Sequence, residues 1–242
     1  MNLSEIDPMT ADPRLTSFAD GNALAEALAS TVAARLADAV EARGKAVLAV
    51  SGGTTPARFF KALSLKDLPW DKITITLVDE RFVPPTSDRS NQKLVTEMLL
   101  QNHAIKAKFV GLYNHAPNVE EGAKMAGQAI AGIGQPFDVV ILGMGGDGHT
   151  ASFFPGGDRL SDAISPDQPE LVLPMHAEGA GEPRLTLTLP AIVNARFVAL
   201  HIEGAGKRTT LEAALGRGAT TDMPIRAILR YEPIELEIFW AP

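Results

Sequence analysis

The hydrophobic residues between positions 20 and 43 recur with the spacing of an α-helix. Five of them stand four residues apart, namely Leu24, Leu28, Val32, Leu36 and Val40. That spacing places all five on one helical face. Gly44 follows directly, where a glycine commonly ends a helix in the left-handed conformation. The pattern predicts a long amphipathic helix over 20–43.

Three short apolar runs further along the chain each break into a polar loop. They are Ala46–Val50, Ile73–Val78 and Phe137–Leu142. Short runs without alternation are typical of strands that are buried on both faces. Helical patterns at about 91–102 and 119–131 lie between them. This alternation of strand and helix predicts an open, mostly parallel α/β sheet flanked by helices.

The last third of the chain continues the same alternation. It predicts one helix, Lys207–Leu215, and four strands: Leu171–Met175, Leu185–Leu189, Phe197–Ile202 and Ile234–Trp240. In Leu185–Leu189, leucines alternate with threonines, which is the pattern of a half-buried strand. The chain contains no repeat, low-complexity tract or linker, so we expect a single domain over residues 1–242.

The composition is that of a globular protein with an acidic balance. Of 242 residues, 45% are hydrophobic, and 22 Lys and Arg face 29 Asp and Glu, for a net charge of −7. No block of basic residues is present, so we expect no nucleic-acid partner and no anionic membrane surface. A small anionic substrate would need a few local cations.

The absence of cysteine excludes disulfides, thiolate nucleophiles and cysteine-ligated zinc. His103, His115, His176 and His201 show no metal-ligand spacing, so we expect them at the surface or in structural roles and expect no metal. No GxSxG sequence is present either, which leaves a serine triad of the α/β-hydrolase type without support.

The N-terminal residues do not resemble a signal peptide. Glu5, Asp7 and Asp12 stand where such a peptide needs basic and then apolar residues. No stretch approaches about 18 uninterrupted apolar residues, the least that a membrane-spanning helix needs. We therefore expect a cytoplasmic protein with no membrane partner, while the sequence leaves the oligomeric state open.

The loops that follow the predicted strands hold the candidate chemistry, because ligands of open α/β sheets bind at the carboxyl ends of the strands. Ser-Gly-Gly-Thr-Thr-Pro at 51–56 offers backbone N–H groups and hydroxyls just before a helix. It fits a phosphate cradle and equally a capped turn. Asp79, Glu80 and Arg81 follow the next strand, where charges are either solvated or functional. Arg184 and Lys207 are either phosphate partners or surface charges.

The glycine-rich loop 143–149 is the most informative segment. Its glycines fit GxGxxG, but Pro155 and two glycines follow within two turns, so the loop does not open the helix that a dinucleotide site requires. Asp147 and His149 stand two residues apart within it. A glycine-rich loop with this pair is suited to placing an acid and a base beside a ligand.

Six segments in this order resemble the 6-phosphogluconolactonase family, within the group that also includes glucosamine-6-phosphate isomerases and deaminases. They are SGGTTP at 51–56, DERFVPP at 79–85, DRSN at 88–91, GMGGDGHTASFFPG at 143–156, PRLTLTLP at 183–190 and GAGKR at 204–208. Each is weak alone, but together they are specific and span nearly the whole chain.

The resemblance implies a Rossmann-like sheet and hydrolysis of 6-phospho-D-glucono-1,5-lactone to 6-phosphogluconate in the pentose phosphate pathway, without metal or organic cofactor. It implies a phosphate site and a reaction centre on these residues: Ser51, Gly52, Gly53, Thr54, Arg184 and Lys207 for phosphate, and Asp79, Arg81, Asp147 and His149 for the reaction.

Within this reading, His149 would be the general base and Arg81 the oxyanion donor. Asp147 would orient His149 or hold sugar hydroxyls, and Asp79 would fix Arg81 or bind the sugar. The deaminases of the group carry a glutamate five residues after the histidine, where this chain has Phe154. That difference favours a lactonase over an isomerase or deaminase. A sugar-phosphate-binding module without catalysis is the other alternative, and the lack of an attached DNA-binding segment weakens it.

Overall fold

The computed structural model describes residues 14–232 and 234–242, so Glu5, Asp7 and Asp12 lie outside the described residues. Ten strands are described: β1 Leu15–Ser17, β2 Ala46–Val50, β3 Ile73–Leu77, β4 Asp79–Arg81, β5 Lys108–Val110, β6 Val139–Leu142, β7 Val172–Met175, β8 Arg184–Leu187, β9 Val198–Glu203 and β10 Leu236–Ala241. Eight α-helices connect them: α1 Gly21–Arg43, α2 Ala57–Ser64, α3 Asn91–Met98, α4 Val119–Ile133, α5 Leu160–Ala163, α6 Leu189–Val193, α7 Ala205–Leu215 and α8 Arg226–Leu229. Along the described ranges, no helix combines the length and apolar character needed to cross a membrane.

Seven strands form one parallel sheet in the order β1-β10-β9-β6-β2-β3-β5. This arrangement confirms the predicted α/β class and mostly parallel sheet. Along the chain, the strands after β2 build outward on one side of it, and those from β6 onward build on the other side. The boundary between β2 and β6 is therefore the switch point, where the loops after both strands part and leave a crevice.

The long first helix confirms the prediction for 20–43. The carboxylate of Asp20 accepts the N–H groups of Asn22 and Ala23 at 2.9 Å each and so caps the helix start. Gly44 ends it at φ 74°, and its N–H donates to the carbonyl of Val40 at 2.8 Å. All five residues of the predicted stripe are buried, and α1 packs on both the sheet and α2. Because β2 is buried at every position, its continuous apolar run is explained as well.

The boundaries of several predicted elements differ from those in the structure, because tertiary contacts determine the conformation of the short segments there. β1 and β5 are three residues each, too short to carry a periodic pattern. The helix predicted over 91–102 ends at Met98, and a 3₁₀ helix follows at Asn102–Lys106. Leu99 and Ala104 are both fully buried, so packing into the core interrupts the helix there.

A second, three-stranded antiparallel sheet in the order β4-β8-β7 was not predicted. Residues 79–81 were expected in a loop, yet they form β4, which pairs Asp79 with Thr186 and Arg81 with Arg184. The prediction that 185–189 forms a half-buried strand was wrong, because Thr186 and Thr188 are fully buried like the leucines. Alternation failed as a guide because both faces of this small sheet are covered.

Candidate active site

A cavity of about 300 Å³ opens at the switch point between β2 and β6. Nine of the ten predicted site residues line it: Ser51, Gly52, Gly53, Thr54, Asp79, Arg81, His149, Arg184 and Lys207. The tenth, Asp147, contacts the ring of His149. Residues from five separate segments therefore meet around one space, which is within the size range of small-molecule sites.

Asp147 and His149 form a hydrogen-bonded pair at the cavity. Asp147 Oδ1 lies 2.6 Å from His149 Nδ1 and also accepts the His149 backbone N–H at 3.1 Å. A carboxylate only accepts, so the shared proton belongs on Nδ1, and Nε2 keeps its lone pair. The His149 side chain is 32% exposed. This geometry suits a base whose free nitrogen points away from its orienting carboxylate.

The loop around this pair depends on glycine. A Cβ on Gly145 would lie 2.1 Å from His149 Nδ1 and 2.5 Å from Asp147 Oδ1. Gly148 adopts φ 80°, a conformation that favours glycine. Burial raises the pKa of Asp147, but hydrogen bonds from the His149 backbone and the attraction of its ring outweigh burial and leave that pKa below the ordinary value. Asp147 is therefore ionised near neutral pH and holds the ring in place.

The cradle, defined as residues 51–54, follows β2 and precedes α2. Its first residue is already engaged, since the Ser51 N–H donates to the Ile141 carbonyl at 3.0 Å and Ser51 Oγ accepts the Gly143 N–H at 3.2 Å. These two bonds tie the cradle to the loop that carries His149. Within the described residues, the N–H groups of Gly52, Gly53 and Thr54 have no protein acceptor. Donors grouped like this before a helix start suit an anion.

Lys207 lies in the first turn of α7, where its charge adds to the positive end of the helix. Partial burial lowers the pKa of Lys207, and the attraction of Asp147 offsets part of that effect. A cation held at a helix N-terminus beside a cavity is unfavourable on its own, and an anionic ligand would relieve the repulsion.

The small sheet supplies the opposite wall. Arg81 and Arg184 are directly paired across β4 and β8, so both side chains point to the same face. Burial lowers the pKa of Arg184, partly offset by Asp79, whose Oδ2 lies 3.8 Å from Arg184 Nη1; arginine nevertheless stays charged. The Nε atoms of both arginines are buried and have no partner among the described residues. Both residues line the cavity, and two guanidinium charges on one wall favour an anionic ligand.

Glu80 points away from the cavity and organises the segment behind it. It is fully buried, and its carboxylate accepts the N–H groups of Arg81, Asn91 and Gln92 at 2.7–2.8 Å and the Ser90 hydroxyl at 3.0 Å. Burial raises the pKa of Glu80 against the lowering effect of these bonds. Of the three charges after β3, this one is structural, because it holds the start of α3 against β4.

Phe154 forms an apolar part of the wall between the histidine and an arginine. Its ring centroid lies 4.5 Å from that of His149 and 5.3 Å from Arg184 Cζ. The residue is 4% exposed. Phe154 thus offers no proton to a ligand and confines His149 by packing.

Three further residues of the site were missed by sequence reasoning. Ser152 donates to Asp79 Oδ2 at 2.6 Å, and Asn91 lines the cavity beside Asp79 and Arg81. Both lie inside the motifs quoted above, which was the available signal. His201, expected at the surface or in a structural role, is 3% exposed, contacts Glu203 and lines the cavity from β9. Its position inside a predicted strand gave no signal of this.

A second groove of about 470 Å³ lies between α4 and β7. Its lining includes Val172, Leu173 and Pro174 together with scattered surface charges, and none of the ten predicted residues borders it. Over the described ranges, no group of three or more His, Asp or Glu is placed to hold a metal ion. The cavity at the switch point is therefore the candidate active site.

Known proteins match this chain over a range that includes all ten predicted site residues. The family model of the glucosamine-6-phosphate isomerases/6-phosphogluconolactonase matches residues 19–240. A 6-phosphogluconolactonase of Rhizobium meliloti is 55% identical over 225 residues, covering 93% of this chain and 97% of that protein. The crystal structure of a 6-phosphogluconolactonase from Shewanella baltica superposes with a TM-score of 0.92 at 43% identity, covering 94% of this chain and 97% of that one.

The fold extends beyond the lactonases. A monomeric glucosamine-6-phosphate deaminase superposes with a TM-score of 0.73 at 17% identity, covering 94% of this chain and 96% of that one. At that identity the likeness concerns the fold alone. The match of the family model over nearly the whole chain, together with the close relatives, confirms the resemblance seen in the motifs: the chain belongs to the glucosamine-6-phosphate isomerase/6-phosphogluconolactonase family.

Proposed function

We propose that this protein hydrolyses 6-phospho-D-glucono-1,5-lactone to 6-phospho-D-gluconate in the oxidative pentose phosphate pathway. The observation that carries the proposal is the Asp147–His149 pair, which faces the same cavity as the cradle and the two paired arginines. A base and an anion site across one small cavity fit the hydrolysis of a phosphorylated ester. The family relatives named above support the same activity.

The reaction follows from the geometry of the pair. His149 Nε2 removes a proton from a water molecule, and the resulting hydroxide attacks the lactone carbonyl. Arg81 stabilises the oxyanion that forms, a contribution on the order of 3 kcal/mol for one well-placed donor. The bond between the carbonyl carbon and the ring oxygen then breaks, and the protonated His149 returns its proton to that oxygen. The product is the open-chain acid, which ionises to a carboxylate.

The remaining cavity residues would hold the substrate. The N–H groups of the cradle, Arg184 and Lys207 supply donors and positive charge for the 6-phosphate. Asp79 is held by Ser152 and Arg184, so it is placed to bind a sugar hydroxyl. Asp147 makes two contacts to His149 and is not among the residues that line the cavity, which favours an orienting role over direct sugar binding.

Phe154 supports a lactonase over a deaminase. Isomerisation with deamination requires proton transfers at the ring oxygen, at carbon 2 and at the amine. Ester hydrolysis needs fewer. The apolar wall at Phe154 fits hydrolysis by His149 and water, since no titratable group stands at that position.

The test is proton release after addition of freshly prepared 6-phosphogluconolactone, with the rate compared with spontaneous opening. We expect rapid acid production, and no ammonia from glucosamine 6-phosphate. Ammonia release at an enzymatic rate, with lactone opening at background, would assign the protein to the deaminases instead. Tight binding of sugar phosphates without either reaction would make it a binding module. The single-domain organisation, cytoplasmic location and absence of a nucleic-acid partner stay predictions.

A further inference from the structure

The side chain of Asn91 lies where three parts of the cavity wall meet. Asn91 is the first residue of α3, is 2% exposed and lines the cavity. Its Nδ2 donates to the Asp79 carbonyl at 2.9 Å and lies 3.5 Å from Asp79 Oδ1. Its Oδ1 accepts Arg81 Nη1 at 3.1 Å. One buried amide thus contacts both charged residues of β4 that face the cavity.

The chemistry of these partners fixes the orientation of the amide. Arginine only donates and a carboxylate or carbonyl only accepts, so a flipped amide would lose its bonds on both sides. The backbone of Asn91 is fixed too, because its N–H donates to the buried carboxylate of Glu80 at 2.8 Å. Only a short side chain with both a donor and an acceptor satisfies this position.

The amide also separates two opposite charges. Asp79 and Arg81 stand two residues apart on one strand, so their side chains share a face. A direct ion pair between them would leave less of either charge available to a ligand. Among the described ion pairs, Asp79 instead has Arg184 within 3.8 Å. The second bond of Arg81 Nη1, to the Arg89 carbonyl at 2.6 Å, holds its guanidinium away from Asp79.

Asn91 further connects Arg81 to the cradle. A Cβ on Gly52 would lie 1.9 Å from Asn91 Oδ1 and 2.2 Å from its Cγ. The cradle backbone therefore packs directly on the amide, and only glycine permits that approach. Through this contact, the position of the Arg81 guanidinium is set relative to the donors of the cradle.

From these contacts we infer that Asn91 is a positioning residue, which keeps Arg81 apart from Asp79 and at a fixed distance from the cradle. Arg81, the donor for the oxyanion, and the cradle, the anchor for the phosphate, can then act on one substrate. This inference rests on the proposed lactonase function. Asn91 acts through Arg81, because its Oδ1 accepts from Arg81 while its Nδ2 donates to the Asp79 carbonyl.

A double-mutant cycle tests the inference. Misplacing a catalytic group by about 1 Å costs roughly 100-fold in rate. We expect Asn91→Ala to lower kcat by about 10- to 100-fold and to change KM by less than about 3-fold, because Lys207 and the cradle still bind phosphate. In an Arg81→Ala background, the same substitution should cost less than about 2-fold, since its effect depends on Arg81. If Arg81→Ala leaves too little activity above spontaneous opening, Arg81→Lys replaces it in the cycle.

Two variants separate positioning from folding. Asn118→Ala is the matched control: Asn118 also sits at a helix start, where it accepts the Glu121 N–H at 2.8 Å, but it lies outside the cavity. It should lower the melting temperature and leave kcat unchanged. Should Asn91→Ala fold poorly, Asn91→Asp preserves the size and the acceptor for Arg81 but places a carboxylate beside Asp79, and we expect it to lose kcat as well.

The outcomes distinguish this inference from the function on which it rests. Coupling to Arg81 together with the loss of kcat supports the positioning role. Equal losses from Asn91→Ala in the parent and in the Arg81 variant, or a parental kcat in both Asn91 variants, would overturn it while the lactonase activity stands. A parent protein that opens the lactone no faster than water would instead overturn the proposed function.

Discussion

Replacing Gly145 by alanine tests whether the Asp147–His149 contact is needed for activity. The added Cβ would lie 2.1 Å from His149 Nδ1, 2.2 Å from its Cε1 and 2.5 Å from Asp147 Oδ1. All three distances are shorter than any contact that a real Cβ atom makes with a non-bonded heavy atom. The backbone at this position is held by the bond from the Gly145 N–H to the His149 carbonyl at 2.8 Å, so the side chains must move instead.

The stability cost should be small, because the two displaced side chains are 32% and 49% exposed and can rotate into solvent. A Gly→Ala change also reduces the freedom of the unfolded chain, which stabilises by about 0.4–1 kcal/mol where the backbone conformation suits alanine. We therefore expect the free energy of unfolding to change by less than about 1 kcal/mol in urea. The catalytic cost should be large, because loss of a general base typically lowers rates by ~10²–10⁴-fold.

The matched control is one residue away. A Cβ on Gly146 would have no heavy atom within 4 Å. Gly146→Ala should therefore keep both the melting temperature and kcat of the parent. The assay is proton release from 6-phosphogluconolactone, corrected for spontaneous opening, with urea unfolding measured on the same preparations. A Gly145→Ala variant whose kcat stays within about 3-fold of the parent would refute the role given to the pair.

Four further results are expected. His149→Ala should fold normally and lower kcat by ~10²–10⁴-fold, checked by circular dichroism and proton release, and near-parental turnover would move the base role to Asp147. Lys207→Ala should raise KM for the phosphorylated lactone and leave the slow reaction of unphosphorylated gluconolactone unchanged; an unaltered KM would remove Lys207 from the phosphate site. Phe154→Glu should release no ammonia from glucosamine 6-phosphate, because the rest of the pocket is unchanged. Because the pKa of Asp147 is lowered in the folded state, its contribution to stability is present above its unfolded pKa and is lost as pH falls through the lowered value. Asp147→Asn should therefore flatten the loss of stability in acid, measured by urea unfolding below about pH 4, and an unchanged acid dependence would contradict the pairing.

The sequence determined those features that depend on local patterns. The helix stripe from Leu24 to Val40, the buried run of β2 and the loops after the strands follow from periodicity and from residues such as Gly44 that end elements. The order of the six motifs identified the family, and with it nine of the residues that line the cavity. Motifs carry this information because, in one fold, residues at equivalent positions of the sequence lie at equivalent positions around the cavity.

Only the tertiary structure decided how the charged residues relate to one another. The pairing of Arg81 with Arg184 arises because residues 79–81 leave the main sheet and join a second one, and three residues carry no pattern that shows this. Thr186 looked exposed by alternation but is buried, since both faces of that sheet are covered. Glu80, Asn91 and His201 likewise acquire their roles from neighbours distant in the sequence. Local propensity reports a residue's own conformation, whereas burial and hydrogen bonding depend on which segments fold against it.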